Sequence, residues 1–258
     1  MNTIKIHLGY GLPLSYILLF MVQGIVSSLL LLLLFIIFTD VSLRILASSL
    51  YFIFIFYLLY DFNTRFFKLR YRVIEEMIEL SNLKGKEQIL DIGTGSGFLA
   101  IGFATKIKED GKVTGIDKYN RNSNSIIPKI AERIKINFVG YSIDQAEKNR
   151  KKEQIIGTCD FLQVDITQPL PFPDEQFDII LSSQSLYCLP RSKLRRTLNE
   201  IDRVLKKGGT LIFFESRGFL QWNIQDIKDF YIKRTYSTEL IHKDYMRNNC
   251  LFHGIKQK

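Results

Sequence analysis

Two long apolar segments near the N-terminus constrain the fold of this chain more than any other feature. Residues 14–38 and 41–60 together contain a single charged residue, Arg44. A helix needs about 20 apolar residues to cross a bilayer, and each segment has that length. A signal peptide is shorter, and a buried helix of a soluble protein carries a polar stripe, which neither segment has. Both segments are therefore expected to span a membrane.

The flanking charges predict how this pair of helices is oriented. Only Thr39 and Asp40 separate the two segments, which favours a tight hairpin with both ends on one side of the membrane. Four basic residues follow the second segment: Arg65, Lys68, Arg70 and Arg72. Because such residues are enriched on the cytoplasmic side, we expect residues 1–61 to form a two-span anchor and the remainder to be cytoplasmic.

The charge of the chain lies entirely outside the predicted anchor. The formal net charge is +9, and the four charged residues up to position 64 cancel one another. A basic domain beside a bilayer is attracted to anionic lipids, so membrane lipids are the expected partner. The basic residues are scattered, and with a membrane anchor nucleic acid is not expected as a partner. Three cysteines without metal or disulfide spacing predict no metal site and fit a reducing compartment.

After the anchor, the pattern changes to short apolar runs that alternate with helical stretches. Residues 62–80 have the spacing of an amphipathic helix that connects the anchor to a domain over 81–258. Strands are expected at 87–92, 112–117, 159–164, 177–182 and 209–215, and helices at 97–108, 141–152 and 192–205. This alternation predicts an α/β fold with an open parallel sheet and helices on both faces. Residues 234–242 and 249–256 are expected to add a C-terminal antiparallel hairpin, and 118–140 is an unusually long connection.

A glycine-rich loop joins the first predicted strand to the first helix of this domain. In the sequence ILDIGTGSGFLAIGFA, Gly93, Gly95 and Gly97 lie between residues 89 and 104. Glycines here allow a ligand to approach the backbone near a helix N-terminus. The third glycine is too close for a dinucleotide fingerprint, and the Gly-Lys-Ser/Thr end of a phosphate-binding Walker loop is missing. A nucleotide-like ligand other than these is favoured.

Acidic residues follow the strands of the predicted sheet. Asp91 ends the first strand, Asp117 the second and Asp165 follows the third. The carboxyl ends of parallel strands meet at one sheet edge, where Asp117 can accept hydrogen bonds from both hydroxyls of a ribose. These residues extend the predicted ligand site beyond the glycine loop.

With these motifs in order, the sequence resembles the class I S-adenosylmethionine-dependent methyltransferase family over roughly residues 80–258. Four stretches carry the resemblance: LDIGTGSG, GID, VDITQPLPFPDEQFDIILSSQSL and LNEIDRVLKKGGTLIFFE. The resemblance implies a Rossmann-like sheet and S-adenosyl-L-methionine as cofactor. A variant of the family with a two-span anchor before the domain is similar to this chain as a whole.

The resemblance also implies roles for individual residues. The three glycines and Thr94 would pass beneath the methionine part of the cofactor, and Asp91 would hold the loop and the amino end. Asp117, followed by Lys118, would bind the ribose. Asp165 would accept the adenine amino group with Ile166 against the ring, and Ser182 would line the edge after the fourth strand.

Few side chains are obligatory for methyl transfer, because the sulfonium donor is already activated and the protein mainly aligns the reactants. The fourth strand leads into LSSQSLYCL, which lacks the Asn/Asp-Pro-Pro-Tyr/Phe signature of many N-methyltransferases. Gln184 and Tyr187 lie where an acceptor would approach, and they are the candidates for catalysis, against wall residues without chemistry. The three histidines lie outside the motifs.

Three hypotheses about function remain at this stage. The first is a membrane-anchored methyltransferase acting on a lipid or another membrane-associated acceptor. The second is the same chemistry on a soluble small molecule or protein, and the third is a non-enzymatic membrane protein that binds the cofactor or nothing. A nicotinamide-dependent reductase would need a longer glycine spacing and gives no role to Asp165.

Overall fold

The structure, a computed structural model, describes residues 14–37, 39–63, 68–108, 110–119, 142–155, 159–186, 189–216, 224–243 and 249–257. The chain divides into two compact units. Leu12–Tyr71 forms a helical unit, and Arg72–Lys258 belongs to an α/β unit. The boundary lies within helix α3, Leu69–Ser81, so most of α3 belongs to the α/β unit, while the connecting helix predicted over 62–80 is divided between the two units.

The helical unit contains two apolar helices, α1 (Leu14–Ile37) and α2 (Val41–Asn63). Asp40 begins α2, because its Oδ1 accepts hydrogen bonds from the backbone N–H groups of Ser42 and Leu43 at 2.8 and 3.1 Å. The helices contact each other, and the Ser28 Oγ and Tyr51 Oη atoms are 2.9 Å apart. These polar contacts between facing helices favour the predicted hairpin.

One of these two helices has the length and composition of a membrane span. Val41–Asp61 comprises 21 residues with a mean hydropathy of 1.9, and only 6% of its most apolar window is buried. Phe56, for example, is 73% exposed. In α1, the described side chains begin at Met21, and Met21–Ile37 alone is shorter than a span. The described residues therefore support one of the two predicted spans.

The α/β unit is built on one sheet of seven strands in the order β3-β2-β1-β4-β5-β7-β6. Its elements, beginning after α3, are β1 (Gln88–Ile92), α4 (Phe98–Ala104), β2 (Lys112–Asp117), α5 (Ile143–Lys152), β3 (Cys159–Gln163), β4 (Phe177–Ser183), α6 (Arg191–Val204), β5 (Leu205–Ser216), α7 (Ile224–Ile232), β6 (Tyr236–Ile241) and β7 (Asn249–Lys256). Strands β1 to β5 are parallel, and β7 pairs antiparallel with both β5 and β6. The predicted Rossmann-like sheet and its C-terminal hairpin are confirmed.

The strand order places a crevice at the carboxyl edge of the sheet. The chain proceeds outward from β1 through β2 to β3, then returns to the other side of β1 for β4 and β5. Right-handed crossovers therefore put α4 and α5 on one face and α6 on the other. In such a sheet, ligands bind where the strand order reverses, which is between β1 and β4.

The structure corrects three details of the sequence prediction. Strand β5 starts at Leu205 rather than at residue 209, because a bulge with Gly208 at φ 78° lets the chain pair with β4 directly after α6. Helix α7 was not predicted, and it buries Ile224, Ile227 and Tyr231. Most of the long connection at 118–140 lies outside the described residues.

Helix α3 buries one face within the α/β unit. Val73, Ile74 and Met77 are buried, and their spacing follows one side of the helix. The amphipathic pattern over 62–80 therefore provides core packing from Val73 onward, and these residues are not available to a membrane surface.

Arg203 fixes the connection between β3 and β4. Its guanidinium donates hydrogen bonds to the carbonyl groups of Leu170 and Phe172 at 3.0 and 2.8 Å. It also pairs with Asp174 at 2.8 Å and with Glu200 at 2.9 Å. The pKa of Glu200 lies below its usual value because Arg203 donates hydrogen bonds to its carboxylate. One side chain thus joins α6 to the irregular connection.

We expect Arg203→Ala to lower the free energy of unfolding by about 1–3 kcal/mol, because carbonyl groups of the connection lose a charged donor. Urea unfolding of the full chain in detergent measures this loss. Arg195→Ala is the matched control, since Arg195 is exposed on the same helix and makes no ion pair within the described ranges. Equal stability losses in both variants would contradict the role assigned to Arg203.

Candidate active site

The glycine loop between β1 and α4 has a backbone conformation that only glycine adopts easily. Gly93, Gly95 and Gly97 have φ angles of 70°, 54° and 82°. The backbone N–H groups of Gly93 and Thr94 donate hydrogen bonds to the carbonyl oxygen of Ile116 at 2.8 and 3.0 Å. The loop therefore folds back over the end of β2 before α4 begins.

Two of these glycines are also required by their neighbours. A Cβ atom at Gly93 would lie 2.2 Å from the Cβ atom of Ser185, and one at Gly97 would lie 2.6 Å from the ring of Phe161. From the sequence, the expected role of these glycines was to let a ligand approach the backbone. At these two positions the missing side chains also make room for Ser185 and Phe161, which press against the loop.

Asp91 is buried beneath the loop. Its Oδ2 accepts a hydrogen bond from the backbone N–H of Ala100 in the first turn of α4, at 3.1 Å. Burial disfavours the charged carboxylate and raises the pKa of Asp91 to about 7, while the neighbouring Thr94 hydroxyl and the bond from Ala100 act in the opposite direction. Asp91 can thus change its charge near neutral pH, in a position that holds the helix start against β1.

Asp117 binds the glycine loop from the neighbouring strand. Its Oδ2 accepts a hydrogen bond from the backbone N–H of Gly95 at 2.9 Å, and its Oδ1 accepts one from Tyr119 at 3.3 Å. A carboxylate has about four acceptor sites, so Asp117 retains capacity for ligand hydroxyls beside these two bonds. The residue predicted to bind a ribose therefore also positions the loop.

Asp165 forms an ion pair with Lys118 across the ends of β3 and β2. The Lys118 Nζ atom is 2.8 Å from Asp165 Oδ2, and the hydroxyl of Thr167 donates to Oδ1 at 2.8 Å. The hydrogen bond from Lys118 lowers the pKa of Asp165 to about 2. Ile166 follows and is partly buried against the hydrophobic core. The structure thus brings three predicted residues, Lys118, Asp165 and Ile166, together at one end of the sheet.

The predicted edge residue Ser182 is completely buried, and its hydroxyl contacts protein groups. Its Oγ lies 3.0 Å from Glu215 Oε1 and 2.8 Å from Ser185 Oγ. Ser182 is flanked in the sheet by Ile92 of β1 and Phe213 of β5, so the β4 strand holds it inside the protein. The residue of this region that contacts the glycine loop is Ser185, which lies two residues beyond the end of β4.

Glu215 and Ser185 are site residues that lie outside the candidates predicted from the sequence. Glu215 lies at the end of β5 and is fully buried, and its Oε1 accepts hydrogen bonds from the backbone N–H groups of Ser185 and Leu186 at 3.2 and 3.1 Å. A signal was present, because Glu215 is an acid that follows an apolar strand, as Asp91 and Asp117 do.

Of the two candidates for catalysis, Gln184 and Tyr187, only Gln184 belongs to the described residues. Gln184 is exposed with φ 53°, and its backbone N–H donates to the carbonyl oxygen of Phe214 at 2.8 Å. Its side-chain amide lies 3.2 Å from Asn249 Oδ1 on β7. The amide thus contacts the C-terminal strand, and Gln184 is at the acceptor side only by its place after β4. Tyr187 lies outside the described residues.

The site fits an organic ligand with polar groups. Tyr119 Oη is buried and has no hydrogen-bond partner within the ranges given above, and Thr94 Oγ1 is buried beside the Asp91 carboxylate without a well-formed hydrogen bond. Buried polar groups are costly without a partner, so these two atoms are suited to a ligand's polar groups. Across the described parts of the chain, no group of three or more His, Cys, Asp or Glu residues is arranged to hold a metal ion.

Comparison with known proteins agrees with this geometry. Residues 90–213 match the family model described as "Methyltransferase domain". The chain is 30% identical over 133 residues to "Probable methyltransferase ltbC" of Aspergillus luteorubrus, which covers 51% of this chain and 41% of that protein. It is 30% identical over 138 residues to the ubiquinone/menaquinone biosynthesis C-methyltransferase UbiE of Azotobacter vinelandii, covering 54% and 46%. The chain therefore spans less than half the length of these relatives.

The fold is shared with solved structures of methyltransferases. A SAM-dependent methyltransferase from Aquifex aeolicus superposes with a TM-score of 0.52 at 17% identity, over 70% of this chain and 87% of that one. At this identity the likeness concerns the fold alone. Together with the family match, it shows that residues 90–213 are similar in sequence to methyltransferase domains and that the α/β unit has their fold.

Proposed function

We propose that the whole chain is a membrane-anchored methyltransferase that transfers a methyl group from S-adenosyl-L-methionine to a lipid or another membrane-associated acceptor. The observation that carries this proposal is the glycine loop at the point where the strand order reverses, held by the buried Asp91 of β1 and the partly buried Asp117 of β2. When bound, the cofactor supplies a methyl group on an activated sulfonium. The chain's own residues bind and orient it there.

Each acid at the crevice suits a different part of such a ligand. Asp91 can pair with the cationic amino group of the methionine part, because burial leaves its carboxylate in need of a counter-charge. Asp117 can accept bonds from the ribose hydroxyls next to Gly95. Asp165 can accept the adenine amino group in competition with Lys118. The buried hydroxyls of Thr94 and Tyr119 add two further polar contacts.

The acceptor class is inferred from the helical unit. The α2 helix exposes large apolar side chains over the length of a membrane span, and α1 is apolar beside it. An enzyme held at a bilayer meets acceptors that dissolve in the bilayer at high local concentration. The name of the Azotobacter relative refers to quinone biosynthesis, which is one example of a lipid-soluble acceptor class. We extend that class to this chain.

A labelling experiment tests the proposed reaction. The purified full chain in detergent is mixed with S-adenosylmethionine labelled at its methyl group and with either membrane lipid or aqueous extracts. We expect label in a lipid product, and less of it with an Asp117→Ala variant at a limiting cofactor concentration. Label in an aqueous product instead would refute the lipid acceptor but keep the cofactor. Failure of S-adenosylhomocysteine to bind, measured by calorimetry against NADH, would refute both.

The Asp117→Ala variant should also bind S-adenosylhomocysteine about 1–3 kcal/mol more weakly, because ribose hydroxyls and the Gly95 N–H lose their acceptor. Asp160→Ala is the matched control. Asp160 lies at the start of β3, at the opposite end of the strands, where it pairs with Lys112 at 2.6 Å. Calorimetry should find its affinity equal to that of the wild type. A similar loss in both variants would contradict the ribose assignment.

The affinity for S-adenosylhomocysteine should depend on pH because Asp91 changes its protonation state when the ligand binds. In the free protein its raised pKa keeps a proton on Asp91 up to about pH 7. A cationic amino group favours the carboxylate, so binding should release a proton, and affinity should rise from pH 5 to pH 7. The same raised pKa makes Asp91 lower the stability of the free fold as pH rises over this window, since the folded state holds more protons than the unfolded state.

Calorimetry in buffers of different ionisation enthalpy counts the released proton, and Asp91→Asn should abolish both the release and the pH dependence of binding. This variant cannot titrate but keeps the size of the side chain and one oxygen acceptor. The same proton release in wild type and variant would show that another group is responsible.

The proposed topology is a two-span hairpin with the α/β unit in the cytoplasm. It predicts that Thr39→Cys, in the turn between α1 and α2, reacts with a membrane-impermeant maleimide in intact cells. Lys193→Cys, on an exposed position of α6, should react only after permeabilisation. A Cys188→Ser background is used, and Cys159 and Cys250 are buried. Labelling of both positions only after permeabilisation would refute the two spans.

A further inference from the structure

Glu215 is an acid enclosed in the protein at the end of β5, beside the loop that follows β4. Its exposed fraction is 0%, and charged or polar groups are buried in proteins only where partners compensate for lost water. The partners of Oε1 are the backbone N–H groups of Ser185 and Leu186 and the hydroxyl of Ser182. All three belong to the end of β4 and the loop that follows it. Glu215 therefore fixes that loop from the neighbouring strand.

Ser185 continues this connection to the glycine loop. Its hydroxyl donates a hydrogen bond to the carbonyl oxygen of Ile92 at 2.8 Å. Ile92 is the last residue of β1 and directly precedes Gly93. The same side chain packs against Gly93 so closely that a methyl group there would collide with it. The position of Ser185 thus restrains the first glycine by a hydrogen bond and by contact.

From these contacts we infer that Glu215 is a positioning residue for the cofactor loop and that it acts through Ser185. Glu215 holds the backbone of Ser185, and Ser185 holds Ile92 and Gly93. The loop after β4 also carries Gln184, which is predicted to lie on the acceptor side. The arrangement of the cofactor loop and that of the acceptor-side loop are therefore coupled. As a statement about catalysis, this inference rests on the proposed function.

Ser185→Ala is the sharpest test, because it removes the hydroxyl but keeps the Cβ atom that packs on Gly93. We expect S-adenosylhomocysteine to bind about tenfold more weakly, the effect of roughly one buried hydrogen bond. Glu215→Gln keeps one oxygen acceptor but places an amide N–H₂ among groups that donate, and it should weaken binding at least as much. Calorimetry on the full chain in detergent provides the affinities.

Tyr236→Phe is the matched control for general destabilisation. It removes a buried hydroxyl that donates to Asp202 at 2.6 Å, on the far edge strand β6. It should lower the melting temperature without changing the affinity. Wild-type affinity in both Ser185→Ala and Glu215→Gln would overturn the inference. An equal loss of affinity in Tyr236→Phe would overturn it as well.

Hydrogen exchange without cofactor separates this inference from the proposed function. In Ser185→Ala, the amides of the peptide over 89–98 should exchange faster than in wild type, while those of β6 should not change. If the wild type fails to bind S-adenosylhomocysteine, the proposed function fails, and the exchange result still decides whether Ser185 restrains the loop. Unchanged exchange over 89–98 would overturn the inference.

Discussion

A glycine loop has no side chains with which to hold its own conformation, and the rest of the site depends on this constraint. Three left-handed glycines within five residues would sample many conformations in isolation. In this chain, neighbouring strands supply what the loop lacks. Asp117 holds Gly95 from β2, Asp91 holds the start of α4 from β1, and Ser185 holds the first glycine from β4. A cofactor would meet a loop that is already ordered, so little binding energy would be lost in arranging it.

The two units obey opposite rules of burial, and this contrast supports the proposed membrane anchor. The α/β unit buries its large apolar residues, such as Phe103 and Phe213, completely. The α2 helix exposes residues of the same type along most of its length, while its backbone hydrogen bonds are made within the helix. In water such a surface would be costly, whereas in hydrocarbon it needs no covering. The polar contact between Ser28 and Tyr51 is of the kind that joins helices in a bilayer.

The sequence predicted the sheet well because its strands are short apolar runs that end at acids or glycines. The sequence did not predict the roles of residues whose function depends on their three-dimensional surroundings rather than on their spacing in the chain. Ser182 follows the pattern of an edge residue, but pairing with both β1 and β5 buries it. Glu215 ends an apolar strand as Asp91 does, yet only the fold reveals that it lies against the loop after β4. Helix α7 was missed although Ile224, Ile227 and Tyr231 have helical spacing, because the stretch before the hairpin was not interpreted.

The acids of the crevice differ in how firmly they are held, and this difference suggests a division of labour. Asp91 and Glu215 are buried and bonded to backbone groups, so moving either one would leave donors without partners. Asp165 is 28% exposed and its partner Lys118 is 64% exposed. Ion pairs of this kind contribute little to stability, so Asp165 can exchange Lys118 for a ligand at small cost. The inner acids therefore preserve the shape of the loop, while the outer acid is free to adapt to the part of the ligand that arrives from solvent.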